Sequence, residues 1–303
     1  MFFILGSARS GTTLLRMMLN AHPDVAVPPE SRFIVELYNG NEVIVSDFLG
    51  ALDAHKRWPA WELSSEAVAA ELGARERVSY VAAVEACYSA FAKSRHKVRF
   101  GDKTPRYVEH IPFLASLWPQ ARFVHLVRDG RAVAQSYADV PFGPKRVAKA
   151  AELWSRRVDQ GVRDGRALGP GRYLELRYES LVEDPEVALK ALCAFLGLDF
   201  DPAMLEYSER SKGEVLDRAR RYNPNVTRQV SHTRSWIDEM PKAQVEVFEA
   251  VGGGTLSALG YDRHFPNPRL WARLLASLGR AGVPVGRLRG RNQGPARSGA
   301  QTD

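Results

Sequence analysis

Cysteine, paired histidines and long apolar runs are all scarce in this chain, and each scarcity closes off a class of protein. Two cysteines in 303 residues, Cys87 and Cys193, cannot build a disulfide framework. Both lie in apolar, helix-like stretches and read as buried thiols. The seven histidines show neither H-x-x-x-H nor H-E-x-x-H spacing, and no cysteine pair joins them, so no protein-built metal site is expected. No run approaches the ~18 unbroken apolar residues that a membrane span needs. The segment from Met1 to Ser10 has no basic stretch before its short apolar run and no small-residue cleavage site. It reads as a first strand rather than a leader, and a reduced, cytoplasmic compartment is the expectation.

What is present is an ordinary soluble balance. Hydrophobic residues make up 45% and charged residues 25%, which excludes a disordered chain, a collagen-like repeat and a disulfide-stapled miniprotein. The formal net charge is +7, but it is unevenly placed. Residues 266–303 hold seven arginines (269, 273, 280, 287, 289, 291 and 297) and one acid, Asp303, so residues 1–265 carry only +1. We therefore expect one domain over 1–265 and a basic amphipathic stretch with a loose tail over 266–303.

Within 1–265, strands alternate with helices. Phe2 to Leu5 is a continuous apolar run, as in a strand buried on both faces. Gly6 to Gly11 breaks it, and Thr12 to Asn20 follows as a helix. The rhythm repeats with Arg122–Val127, a turn at Arg128-Asp129-Gly130, and a helix from Arg131 to Tyr137. A third strand, Tyr173–Leu176, leads through Tyr178-Glu179 to a helix over Pro185–Phe195, where Asp184-Pro185-Glu186 suits a helix start. Lys242 to Leu259 reads as a last packed helix ended by Gly260. This pattern predicts an α/β fold, a P-loop-like parallel sheet flanked by helices. The stretch of about 35–100, including Ser64–Ala92, predicts a mostly helical cap.

Gly6-Ser7-Ala8-Arg9-Ser10-Gly11-Thr12-Thr13 joins a buried strand to a helix, the arrangement that turns successive backbone N–H groups towards an anion. Ser10, Thr12 and Thr13 add hydroxyl donors and Arg9 adds a fixed charge. Gly6 and Gly11 match the glycines of a nucleotide-hydrolysing P-loop, but Thr12 occupies the place of its lysine, which weakens a case for ATP or GTP chemistry.

With a second segment, Phe123–Ser136 (F-V-H-L-V-R-D-G-R-A-V-A-Q-S), this loop resembles the sulfotransferases that use 3′-phosphoadenosine 5′-phosphosulfate (PAPS). Further patches, Tyr178-Glu179-x-Leu181, Phe195-Leu196-Gly197, Trp236 and Leu259-Gly260-Tyr261, extend the resemblance to about residue 261. It implies that Ala8, Arg9, Ser10, Gly11, Thr12 and Thr13 hold the 5′-phosphosulfate, that Arg128 and Ser136 hold the 3′-phosphate, and that Tyr178 lies near the adenine. Arg228 and Arg234, before Trp236, match basic residues that close over the cofactor in this family. PAPS is then the cofactor and PAP the product, with no metal required.

Transfer to a hydroxyl or amine needs a base near the loop. The stretch His22-Pro23-Asp24 to Pro28-Pro29-Glu30-Ser31-Arg32 has the spacing found in the tyrosylprotein type and bacterial relatives, which implies Glu30 as base. His22 belongs to the A-H-P-D turn. Lys103, in Asp102-Lys103-Thr104-Pro105, matches the lysine that with Arg9 stabilises the transferring group, and Asp102 is the alternative base. Trp58 and Trp61 read as packing before pocket lining. The acceptor is expected to be a small molecule, sugar or glycolipid. Other readings are a P-loop kinase-like phosphotransferase and a non-enzymatic nucleotide-binding module; no basic stripe with interleaved aromatics supports nucleic acid as a partner. Beside Leu270, Trp271, Leu274, Leu275 and Leu278, the tail's charge reads first as solubilising, and second as contact with an anionic membrane surface.

Overall fold

The computed structural model describes residues 1–210 and 236–280. Among these, the strands are β1 (Phe2–Gly6), β2 (Val25–Ala26), β3 (Glu42–Ile44), β4 (Arg77–Ser79), β5 (Arg99–Lys103), β6 (Arg122–Val127) and β7 (Tyr173–Arg177). The helices of the first half are α1 (Thr12–Ala21), α2 (Phe33–Glu36), α3 (Val45–Asp53), α4 (Ser65–Leu72), α5 (Tyr80–Ser94) and α6 (Ile111–Leu117). Those of the second half are α7 (Gly130–Ala138), α8 (Val147–Arg166), α9 (Tyr178–Glu183), α10 (Pro185–Leu196), α11 (Tyr207–Arg210), α12 (Trp236–Glu239), α13 (Lys242–Ala258) and α14 (Leu270–Arg280).

Five strands form one sheet in the order β2-β5-β1-β6-β7, with every pair parallel. β1 is central and buried throughout. Its side chains alternate: Phe3 and Leu5 enter the core under α5 and the cap, and Ile4 enters the core under α1 and α10. Each such side chain, fully buried, contributes about 1.5–3 kcal/mol. A third core joins α7, α8 and α13 around Trp154 and Phe248. Both cysteines are buried, Cys87 in α5 and Cys193 in α10. The start of α10 is capped by the Asp184 side chain, with Pro185 in the first turn.

Two expectations need correction. The interval between β1 and β6 is not cap alone, because β2 and β5 from within it pair into the main sheet. β5 (R-F-G-D-K) has one large apolar residue, so its sequence does not announce a buried strand. Gly101 lets it lie beside β1: a Cβ there would sit 2.3 Å from the Phe2 ring. The predicted Ser64–Ala92 helix also divides, because residues 77–79 form β4, which pairs antiparallel with β3. Ser64 and Ser79 each cap the helix that follows them. Trp58 and Trp61 are buried in the cap, with Trp61 5.2 Å from Phe33 and 4.9 Å from Tyr88 between ring centroids.

Candidate active site

The carboxyl ends of the parallel strands bring the site residues together, at the point beside β1 where the chain crosses to both sides of the sheet. After β1, Gly6 has φ +155 and a Cβ on it would lie 2.5 Å from the Leu126 carbonyl oxygen. Gly11 has φ +93, and its Cβ would meet the Tyr178 ring at 2.3 Å. Both positions demand glycine. Arg9 adopts φ 73, the left-handed region that costs a non-glycine residue energy and is found at ligand-holding turns. Ser10 Oγ is buried with no hydrogen-bond partner. No side chain caps α1, so its first N–H groups face the loop uncapped.

The second predicted segment meets the first directly. Arg9 Nε donates to Ser136 Oγ at 2.9 Å. Arg128 Nη1 donates to the Arg9 carbonyl at 3.3 Å, and its guanidinium lies 4.2 Å from the centre of the Tyr178 ring. Burial, reinforced by the neighbouring Arg128 cation, presses the Arg9 pKa below its ordinary value. Adjacent arginines, an orphaned hydroxyl and a helix start form a cradle suited to phosphate and sulfate oxygens.

The Arg128 turn is braced from behind. Glu179 accepts the Asp129 N–H at 2.9 Å and the Tyr261 hydroxyl at 2.9 Å. Buried Arg131 pairs with Asp129 at 2.8 Å and Glu249 at 2.6 Å. Burial works against that cation, but the two carboxylates outweigh it and raise its pKa. Arg131 also lies 3.8 Å from the centre of the Trp236 ring, tying α12 to the helix that carries Ser136.

Glu30 and Lys103 face each other, Nζ to Oε1 at 3.2 Å. Burial pushes the Glu30 carboxyl up, yet Lys103, Arg57 and Arg32 together hold it below the ordinary carboxylate range. Burial lowers the Lys103 pKa, and Glu30 opposes that shift. The turn bearing Glu30 is pinned on two sides. From α1, Arg16 Nε and Asn20 Nδ2 both donate to the Val27 carbonyl, at 2.8 and 3.0 Å. From β5, Asp102 Oδ2 accepts from Ser31 Oγ at 2.7 Å, Tyr88 OH at 2.6 Å and Thr104 Oγ1 at 3.2 Å. Asp102 Oδ1 is buried with no hydrogen-bond partner. Burial, only partly offset by those hydroxyls and Lys103, raises Asp102 to about 6.

Of the remaining residues predicted at the site, Thr12 is buried, while Ala8 and Thr13 are half-buried at the loop. Arg228 and Arg234 lie outside the described residues. Arg16, Asn20, Arg57 and Tyr88 were not singled out from the sequence, and Ser31 and Glu179 stood in the quoted motifs without a role of their own. Tyr88 carried no signal, because its role comes from a contact across 14 residues between α5 and β5. Among the described residues no group of three or more His, Cys, Asp or Glu side chains is placed to hold a metal ion.

A family model described as the sulfotransferase family matches residues 2–202. The protein-tyrosine sulfotransferase of Drosophila melanogaster is 28% identical over 279 residues, covering 88% of this chain and 52% of its own length. The chain thus spans about half the length of that relative. The nodulation protein NoeE of Sinorhizobium fredii is 30% identical over 294 residues, covering 88% of this chain and 67% of the relative. Among solved structures, the sulfotransferase domain from the curacin biosynthetic pathway superposes with a TM-score of 0.56 at 20% identity, covering 86% of this chain and 98% of that one. The sulfotransferase domain from the Synechococcus PCC 7002 olefin synthase gives 0.53 at 24% identity, covering 94% and 95%. The two likenesses concern the fold.

Proposed function

Because the chain belongs to the sulfotransferase family, we propose that it moves a sulfuryl group from PAPS to an acceptor hydroxyl, with Glu30 as general base. The observation that carries this reading is the meeting of Arg9, Ser136, Arg128 and Tyr178 at one cradle, with the Lys103–Glu30 pair at the end of β5, the strand next to β1. PAPS supplies the activated sulfuryl group, and PAP remains after transfer. In this reading the loop from Ala8 to Thr13 holds the 5′ end of the donor. Arg128 and Ser136 hold its 3′-phosphate, and Tyr178 offers a ring face beside it.

The proton bookkeeping follows from the pair. Glu30 is held ionised at neutral pH by the surrounding cations, so it is ready to take the acceptor's proton as the acceptor oxygen bonds to sulfur. Lys103 and Arg9 offset the negative charge left on the departing phosphate oxygen. Lys103 is a compact cation with rotatable donors, so it can leave Glu30 for that oxygen within the same small volume. Asp102 contacts three hydroxyls rather than the open side of the pair, which supports a positioning role for it over that of base.

For the acceptor we favour a small-molecule, sugar or glycolipid hydroxyl. A tyrosine hydroxyl is the second reading, supported by the tyrosine sulfotransferases among the relatives. A panel of acceptors with ³⁵S-labelled PAPS separates them. For the chemistry, calorimetry with PAP, ATP and a single-stranded oligonucleotide should show tight binding to PAP alone. Glu30→Gln should keep PAP affinity and lose about 10²–10⁴-fold in turnover. Preferred ATP binding would sink the sulfotransfer reading, and undiminished turnover would remove Glu30 as base.

A further inference from the structure

The helix α14 docks on the body by its small side, with Trp271 and Leu275 half-buried. Ala272 and Ala276 are 0% and 2% exposed, and Gly279 comes so close to α8 that a Cβ there would lie 2.8 Å from the Ala148 Cβ. The large apolar side points outward: Leu270 is 71% exposed, Leu274 56% and Leu278 42%. These three are four residues apart and therefore form one stripe along the helix. An ordinary surface helix buries its leucines and leaves the small or polar side in water. Rotation cannot correct this arrangement. Arg269 fastens the start of the helix to buried Glu246 of α13 by three side-chain bonds, from Nε to both carboxylate oxygens at 3.0 Å and from Nη2 at 2.6 Å, and the close Gly279–Ala148 approach holds the other end.

The charge around the stripe selects its occupant. Arg273 is exposed on α14. Residues 266–303 contain seven arginines and no acid before Asp303. The exposed turn carrying Phe142, Lys145 and Arg146 ends two residues before Ala148, the residue that Gly279 touches. A second copy would set one strongly basic segment against another and repel it. A nucleic acid would use the arginines and leave the leucines in water. An anionic lipid surface uses both, with leucines entering the acyl boundary and arginines meeting the headgroups. No helix among the described residues is long and apolar enough to cross a membrane.

We propose that α14, through Leu270, Leu274 and Leu278 with exposed Arg273 on the same helix and the exposed Lys145–Arg146 turn, docks this protein on the surface of an anionic bilayer. The same α8 end leads back through the Phe142 turn to α7 and Ser136. The docking does not depend on which acceptor is used.

The test is cosedimentation of the full chain with phosphatidylcholine vesicles, with and without phosphatidylglycerol. Binding should be at least about tenfold tighter with the anionic lipid and should fall steeply as salt is raised. Leu270→Glu/Leu274→Glu should lose about tenfold or more of that binding while PAP affinity stays unchanged. Both sites are exposed, so the fold should persist; Leu270→Ser/Leu274→Ser serves as the milder pair if the glutamates lower the melting temperature. Absent binding, equal binding to neutral vesicles, or undiminished binding of both pairs would overturn the proposal. So would a dimeric native chain that either pair converts to monomer, which would assign the stripe to a protein interface.

Discussion

Replacing Asp102 with asparagine probes the hub that holds the Glu30 turn. The carboxyl is fully buried, one oxygen takes three hydroxyl donors and the other takes none. Its pKa is raised from 3.8 to about 6, chiefly by burial. A raised acid pKa means that the native state binds the proton more tightly than the unfolded chain does. Stability is therefore lost as pH climbs from the unfolded value through the folded one. A displacement of about two units corresponds to about 3 kcal/mol above pH 7. Asparagine keeps an acceptor oxygen for the hydroxyls and never ionises. The stability difference, Asp102→Asn minus native, should thus rise by roughly 2–3 kcal/mol between pH 4 and pH 7. Urea unfolding of both proteins across that range reads the slope directly, and the slope is insensitive to constant packing differences. A flat or falling difference would refute the reasoning, because it would mean that the three hydroxyls stabilise the ionised carboxylate more than burial penalises it. Turnover of Asp102→Asn should stay within about tenfold of native. A loss of about 10²–10⁴-fold in a folded variant would return the base role to Asp102.

Arg128→Ala should weaken PAP binding by about 10–100-fold, the scale of hydrogen bonds to a charged group; calorimetry checks this, and unchanged affinity would remove Arg128 from the cradle. His125 is fully buried beside Tyr173 and burial lowers its pKa to about 3, so the neutral ring's stabilisation is complete above about pH 6.5 and drains away as pH falls towards 3. His125→Gln should accordingly flatten the acid limb of the stability curve, seen as a weaker loss of unfolding free energy between pH 6.5 and 4.

The loop after β1 and the Arg128 turn were legible because their signals are local. An apolar run for a doubly buried strand, glycines at a turn and hydroxyls at a helix start all fall within a few residues of one another. β5 was not legible as a strand, because Gly101 and Asp102 suit their places only through Phe2, Ser31 and Tyr88. The hydroxyl hub shares that property, since each of its hydrogen bonds to Ser31 or Tyr88 joins separate elements.

The C-terminal stretch divides the two kinds of information most clearly. Composition determined that residues 266–303 are basic and carry leucines at helical spacing. It favoured a solubilising tail, because an amphipathic pattern alone does not say which face meets the protein. The tertiary structure decided that the alanine face docks and the leucine face stays outside. The physical reason is distance: α8 approaches closely enough at Ala148 to admit only small residues, and Glu246 fixes Arg269. In the same way, sequence determined that Arg9, Glu30, Lys103, Arg128 and Ser136 are present in order. Their convergence came from parallel pairing of β1 with β5 and β6, an energy gained only when segments distant in the chain close on one another.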